Sequence, residues 1–118
     1  MEKYLVLFLI ATQLVSGCTF AVSLSEKDYQ EIWCQGQKEV ALQDMTRVDC
    51  LTASHAIELD FAYKWKEAIG QSLHYALLTG KQAGIGLIIR THEDNRYLEQ
   101  LNTVIENYHL PIQVWIIQ

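Results

Sequence analysis

Arg47-Val48-Asp49-Cys50-Leu51-Thr52-Ala53-Ser54-His55-Ala56-Ile57-Glu58-Leu59-Asp60-Phe61 is where the architecture of this chain becomes readable. Thr46 to Leu51 and His55 to Phe61 are two β-compatible runs, separated by Thr52-Ala53-Ser54, whose small and polar residues suit a tight turn. Upstream, Lys38 to Leu42 alternates as another strand and Gln43-Asp44-Met45 is a second turn. Three strands joined by turns this short form an antiparallel meander.

Downstream, the period changes from two to 3.6. Trp65, Ala68, Ile69, Ser72, Leu73 and Ala76 fall at i, i+3, i+4, i+7, i+8 and i+11, predicting a helix from about Ala62 to Leu78 with one buried stripe. Thr79-Gly80 ends it, glycine being the usual residue just past a helix. Ile85 to Ile89 is a short apolar run of the kind buried on both faces of a parallel sheet. Thr91 to Asn107 is a further amphipathic helix with a stripe of Tyr97, Leu98, Leu101, Val104, Ile105 and Tyr108, and Pro111 precedes a last strand, Ile112 to Ile117. Before the meander, Ser25 and Asp28 make a capping box for a first helix whose inner face is Tyr29, Ile32 and Trp33, ended by Gln35-Gly36-Gln37. The order α-β-β-β-α-β-α-β predicts an α/β domain. A helix between two strands calls for a right-handed parallel crossover, so its sheet should be mixed.

Residues 1–21 have the character of an export signal. Lys3 is followed by the apolar stretch Tyr4 to Ala11, too short for a bilayer span of roughly 20 residues but suited to a signal-peptide core. Val15-Ser16-Gly17-Cys18 resembles a bacterial lipobox, which would place a lipid on Cys18. The competing cleavage site is Thr19-Phe20-Ala21. Either way residues 22–118 form a single domain, exported to the bacterial periplasm or anchored to a membrane by lipid. The whole chain carries 9 basic and 14 acidic residues, and losing Glu2 and Lys3 leaves its net charge of −5 unchanged. That balance gives no general attraction to nucleic-acid phosphates. With Cys18 lipidated, Cys34 and Cys50 remain as a pair, and an oxidising compartment favours a disulfide. Zinc is the alternative, but no CxxC or HxxxH accompanies them.

The element order, with Asp49 on the second strand, Glu58-Leu59-Asp60 on the third and Gln71-Ser72-Leu73-His74-Tyr75 on the next helix, resembles the PD-(D/E)xK nuclease superfamily, in particular its RecB-like QxxxY branch. The resemblance covers roughly residues 25–118 and implies a restriction-endonuclease-like core. It further implies a metal-dependent nuclease, with Mg²⁺ or Mn²⁺ held by Asp49, Glu58 and the backbone carbonyl of Leu59. Hard oxygen ligands suit those ions. Asp60 stands where the family has lysine. The family also tolerates a lysine moved to the following helix, and Lys64 is the candidate. Lys64, Glu67, Gln71 and Tyr75 recur at i, i+3, i+7 and i+11, a polar line about 125° from the buried stripe, and complete the expected catalytic set.

Blander readings stand beside these. Asp49 and Glu58 also suit solvent-facing strand positions, and Asp60 reads either as an added metal ligand or, at least as well, as the N-cap of the helix. Lys64 and Glu67 make a plausible surface ion pair of small value. Val48 replaces the family's usual proline. No GxSxG, P-loop or GxGxxG motif occurs. The alternative to a nuclease is a catalytically inactive binding or structural module on the same frame, an envelope lipoprotein.

Overall fold

A computed structural model describes residues 23–118; the expected signal peptide over residues 1–21 and the expected lipobox at Cys18 lie outside the described residues. Helix α1 (Glu26–Trp33) is followed by strands β1 (Gln37–Ala41), β2 (Arg47–Leu51) and β3 (His55–Phe61). A 3₁₀ turn at Ala62–Lys64 leads into α2 (Trp65–Thr79), then β4 (Gln82–Ile88), a second 3₁₀ turn, α3 (Asn95–Tyr108) and β5 (Ile112–Ile117). The domain is α/β, with one five-stranded sheet in the order β1-β2-β3-β4-β5. β1, β2 and β3 are antiparallel, whereas β3, β4 and β5 are parallel, so the sheet is mixed.

Local signals explain the element ends. Ser25 accepts from the Asp28 amide while the Asp28 carboxylate accepts from the Ser25 amide, closing the capping box of α1. Gly80 ends α2 at φ 68°, a left-handed conformation that suits glycine. β4 begins at Gln82, three residues before the apolar run, because the parallel register with β3 already starts at His55↔Gln82.

Two successive crossovers that advance in one direction put both helices on the same face. Trp65 and Ala68 of α2 and Leu101 of α3 accordingly share one core with Ile85 and Leu87 of β4. The opposite face is left to α1, which lies over β3. There Cys34, Cys50, Ile57, Leu59, Ile88 and Ile117 pack together, with Tyr29, Trp33, Phe61 and Trp115 at the margin. Among the described residues no helix is centred over β4 on this face, and the side chains of β5 fold across instead. A Cβ on Gly84 would stand 2.6 Å from the Trp115 ring, and one on Gly86 would stand 2.9 Å from Ile117. The glycines make the room that Trp115 and Ile117 occupy.

Two sequence expectations are corrected. Ile32 was expected on the inner face of α1 but is 71% exposed; Gln30 takes the buried position. Tyr108, expected in the buried stripe of α3, is exposed, because the helix ends there and His109 turns left-handed away from the core. The disulfide is present: Cys34 at the end of α1 is bonded to Cys50 on β2, with Cα atoms 5.7 Å apart.

Candidate active site

The site begins with a break in the sheet. β1 and β2 pair through Lys38↔Cys50 and Val40↔Val48, but the register skips Glu39 and Asp49. Glu39 has φ 51°, a left-handed conformation that is unfavourable for a residue with a side chain. On the other side, β2 pairs with β3 only at Cys50↔Ile57 and Leu51↔Ala56. Residues two apart on a regular strand share a face. Here Cys50 packs toward α1, whereas Val48 packs with Ala56 and Tyr75 beneath α2. The strand therefore turns over at Asp49.

That turn leaves two backbone groups outside the ladder, and both are satisfied by side chains. The Leu59 amide donates to Asp49 Oδ2 at 2.9 Å. The Asp49 carbonyl accepts from Gln30 Nε2 at 2.8 Å. Asp49 thus bridges the gap that its own strand opens, and α1 closes the back of it.

Glu58 and Asp60 alternate along β3 on the face that Ala56 presents to Tyr75. They are 6% and 4% exposed. Glu58 Oε2 and Asp60 Oδ2 have no hydrogen-bond partner within the protein. Asp60 is not a helix cap: Phe61 precedes the 3₁₀ turn, α2 starts at Trp65, and neither helix has a side-chain cap. This corrects one of the two sequence readings of that residue. The reading of Glu58 as a solvent-facing residue is likewise overturned by its burial.

Burial dominates the electrostatics. It raises Glu58 to about 10, with the charges of Asp49 and Asp60 and a hydrogen bond shared with Asp49 pushing the same way. Asp49 is raised by burial, opposed by the hydrogen bonds from the Leu59 amide and with Glu58. The hydrogen bond between the two carboxyls lowers Asp49 and raises Glu58, so a proton they share favours Glu58. Asp60 is raised to about 7 by burial and by Glu26, with Lys64 opposing. Tyr75 is raised to about 12 by burial and then by Glu58.

The expected catalytic set is distributed unevenly around this cluster. Tyr75 is buried against it. Lys64 Nζ lies 2.9 Å from Glu26 Oε1, both side chains being about one-third exposed, and this pairing raises the lysine pKa. Glu67 is exposed, although its charge reaches Asp60. Gln71 is exposed on α2, outside the buried row of Trp65, Ala68, Ser72 and Tyr75. The stripe Lys64-Glu67-Gln71-Tyr75 is therefore the helix boundary: its last member turns inward while the middle two face water. Leu59 packs toward α1 and contributes its amide to Asp49.

Two residues of the site were not found in the sequence. Glu26, in the first turn of α1, acts on Asp49, Glu58 and Asp60 through its charge and holds Lys64. It carries only the signal of an ordinary acidic first turn. Gln30, 3% exposed, holds the Asp49 backbone. A glutamine one turn after a glutamate has no signature of its own; only the fold brings both to residues far along the chain.

Among the described residues, no three His, Cys, Asp or Glu side chains stand arranged as a ready metal cage. One oxygen of Asp49 is already used by the Leu59 amide. Two buried carboxyl oxygens, Glu58 Oε2 and Asp60 Oδ2, are left without a partner, hard atoms of the kind Mg²⁺ and Mn²⁺ take. No family model, no curated protein and no solved structure matches the chain.

Proposed function

We propose that this domain is a small metal-dependent phosphodiesterase with a restriction-endonuclease-like core of the PD-(D/E)xK type, cleaving nucleic acid outside the cytoplasm. The observation that carries the reading is the burial of Glu58 and Asp60 beside the half-buried Asp49 where β2 and β3 part. Buried carboxyls with no cationic partner oppose folding. Such clusters with strongly displaced pKa values concentrate at functional sites.

In this reading Asp49, Glu58 and the Leu59 carbonyl would hold Mg²⁺ or Mn²⁺, which would supply charge neutralisation at a phosphoryl oxygen and acidify water. Asp60, raised to about 7, is matched to neutral pH as a proton acceptor and donor. Lys64 meets a phosphate only by exchanging its bond to Glu26 for it. Tyr75 closes the inner wall, and Glu67 and Gln71 shape the solvent side. A leader over residues 1–21 with lipid on Cys18 fits the disulfide, since such bonds persist in oxidising compartments.

The second reading is an inactive module on the same frame. It is favoured by the commitment of Lys64 to Glu26 and by the net charge of −5. Titration calorimetry with Mn²⁺, beside a cleavage assay on single- and double-stranded oligonucleotides, separates the two. The nuclease binds the ion and cleaves. Glu58→Gln and Asp49→Asn then lose roughly a hundredfold or more in rate, and Lys64→Ala loses less. If no heat of binding appears and the carboxyl variants match the wild type, the inactive module is correct.

A further inference from the structure

Beside the carboxyl cluster, where the parallel strands β3 and β4 end, four side chains form a surface with a different chemistry. Phe61, the last residue of β3, is paired in register with Ile88 of β4, and Arg90 follows two residues later. The Arg90 guanidinium lies 3.9 Å from the centre of the Phe61 ring. Tyr29 of α1 meets the same ring edge-on, with centroids 6.2 Å apart. Tyr63 lies nearly parallel to Phe61, at 6.2 Å and 11°. Phe61 is therefore held on several sides, but Tyr63 is 52% exposed. Lys64 Nζ stands 5.8 Å from the Tyr63 ring while bonded to Glu26, which joins this surface to the cluster at Asp60.

Tyr63 offers a half-exposed ring whose orientation is set by the nearly parallel Phe61 ring beside it. Arg90 is also notable on this acidic protein. Among the described residues its guanidinium has no carboxylate partner, and it lies exposed on a ring that orients it. Its donors are open to an anion with the fork geometry of a phosphate. An aromatic plane next to an oriented, unpaired guanidinium is the pairing that recognises a base together with its phosphate. The position agrees with the general rule that open sheets bind ligands beyond the carboxyl ends of their parallel strands. A base inside a duplex is covered by its neighbours and cannot lie on Tyr63. A single strand or a frayed end can.

We infer that Tyr63 and Arg90 form a nucleotide-binding subsite, with Tyr63 stacking an unpaired base and Arg90 taking its phosphate, so that the substrate is single-stranded nucleic acid. The identity of the subsite as part of a substrate path rests on the phosphodiesterase reading; its binding of a single strand does not. The test measures fluorescence anisotropy of a labelled single-stranded oligonucleotide, and of its duplex, with the domain in chelator-containing buffer. The single strand should bind more tightly than the duplex. Tyr63→Ala should weaken it by roughly tenfold or more, and Tyr63→Trp should restore it. Arg90→Ala should lower the salt dependence of binding by roughly one phosphate contact, a slope change of about 0.7.

Equal affinity for single strand and duplex overturns the inference, as does a folded Tyr63→Ala that binds like the wild type. Should Tyr63→Ala lower only the thermal midpoint, the ring is a structural lid on Phe61 and the inference is wrong. Cleavage that ignores Tyr63 refutes the subsite and leaves the nuclease standing. Binding that depends on Tyr63, with no Mn²⁺ uptake and no cleavage, refutes the nuclease and leaves the subsite.

Discussion

Glu58 concentrates the tension of this fold in one side chain. Its carboxyl loses its proton near 4.5 when exposed and only at about 10 in the folded domain. Between these values the folded state holds the extra proton, so its stability is greatest below about 4.5 and falls as pH climbs toward 10. Asp60 adds the same trend between 3.8 and about 7. Glu58→Gln removes the titration and keeps the size. The metal-free variant should therefore match the wild type near pH 5 and exceed it increasingly above, by roughly 5–10 °C in thermal midpoint at pH 9, or about 1–2 kcal/mol. A difference that stays flat across that range would mean Glu58 is ionised in the fold. Asp49 predicts the opposite sign, although it is a carboxyl of the same cluster. Its Oδ2 is the acceptor for the Leu59 amide, so Asp49→Ala leaves a buried donor unpaired at a cost of about 1–3 kcal/mol, whereas Asp49→Asn keeps an acceptor. Repulsion alone would have made both deletions stabilising; the hydrogen bond decides which does.

At the scale of elements, α1 is the part whose role departs most from its sequence pattern. Its start was legible, because Ser25 and Asp28 satisfy each other locally and need nothing from the rest of the chain. The meander, both crossover helices and the disulfide were legible for similar reasons: alternation, a 3.6 period and pairing by elimination are short-range or compositional signals. The inward face of α1 was not legible. Apolarity favours Ile32, yet Gln30 is buried, since β2 leaves a carbonyl at Asp49 that only a donor can satisfy. The carboxyl cluster was half legible. Asp49 and Glu58 could be placed on adjacent strands by counting, but the burial of Glu58 goes with α2 turning Tyr75 inward rather than Gln71. Lys64 was placed by helical period, and its partner Glu26 lies 38 positions away. Gln30→Ala should therefore cost about 1–3 kcal/mol through the orphaned Asp49 carbonyl. Ile32→Gln, at 71% exposure, should change stability by no more than about 0.5 kcal/mol. Urea denaturation of both variants checks the contrast, and equal losses would return Ile32 to the core.

For the whole molecule, the weak joint is the attachment of this short helix to the sheet. An eight-residue helix is well below the roughly 12–15 residues that are marginal alone in water, and among the described residues α1 is the helix on its face of the sheet. It nevertheless carries Glu26, which holds Lys64, and Gln30, which holds Asp49. What fastens it is the Cys34–Cys50 bond, spanning 16 positions and joining the helix end to the residue after Asp49. Closing a loop of that size contributes about 3 kcal/mol by the chain-entropy estimate, a large share of the roughly 5–15 kcal/mol that holds a domain folded. Reduction should accordingly lower the thermal midpoint by roughly 12–24 °C. It should also loosen the site before the sheet, because β3, β4 and β5 pair without help from α1. In hydrogen exchange under reducing conditions, the amides of α1 and of Leu59 should lose protection first, and those of β4 last. The same bond tests export. Protein expressed with residues 1–21 and recovered from outside the cytoplasm should gain two hydrogens in mass on reduction, while protein made without them in a reducing cytosol should gain none. Two free thiols in the exported protein would remove both the staple and the compartment inferred from it.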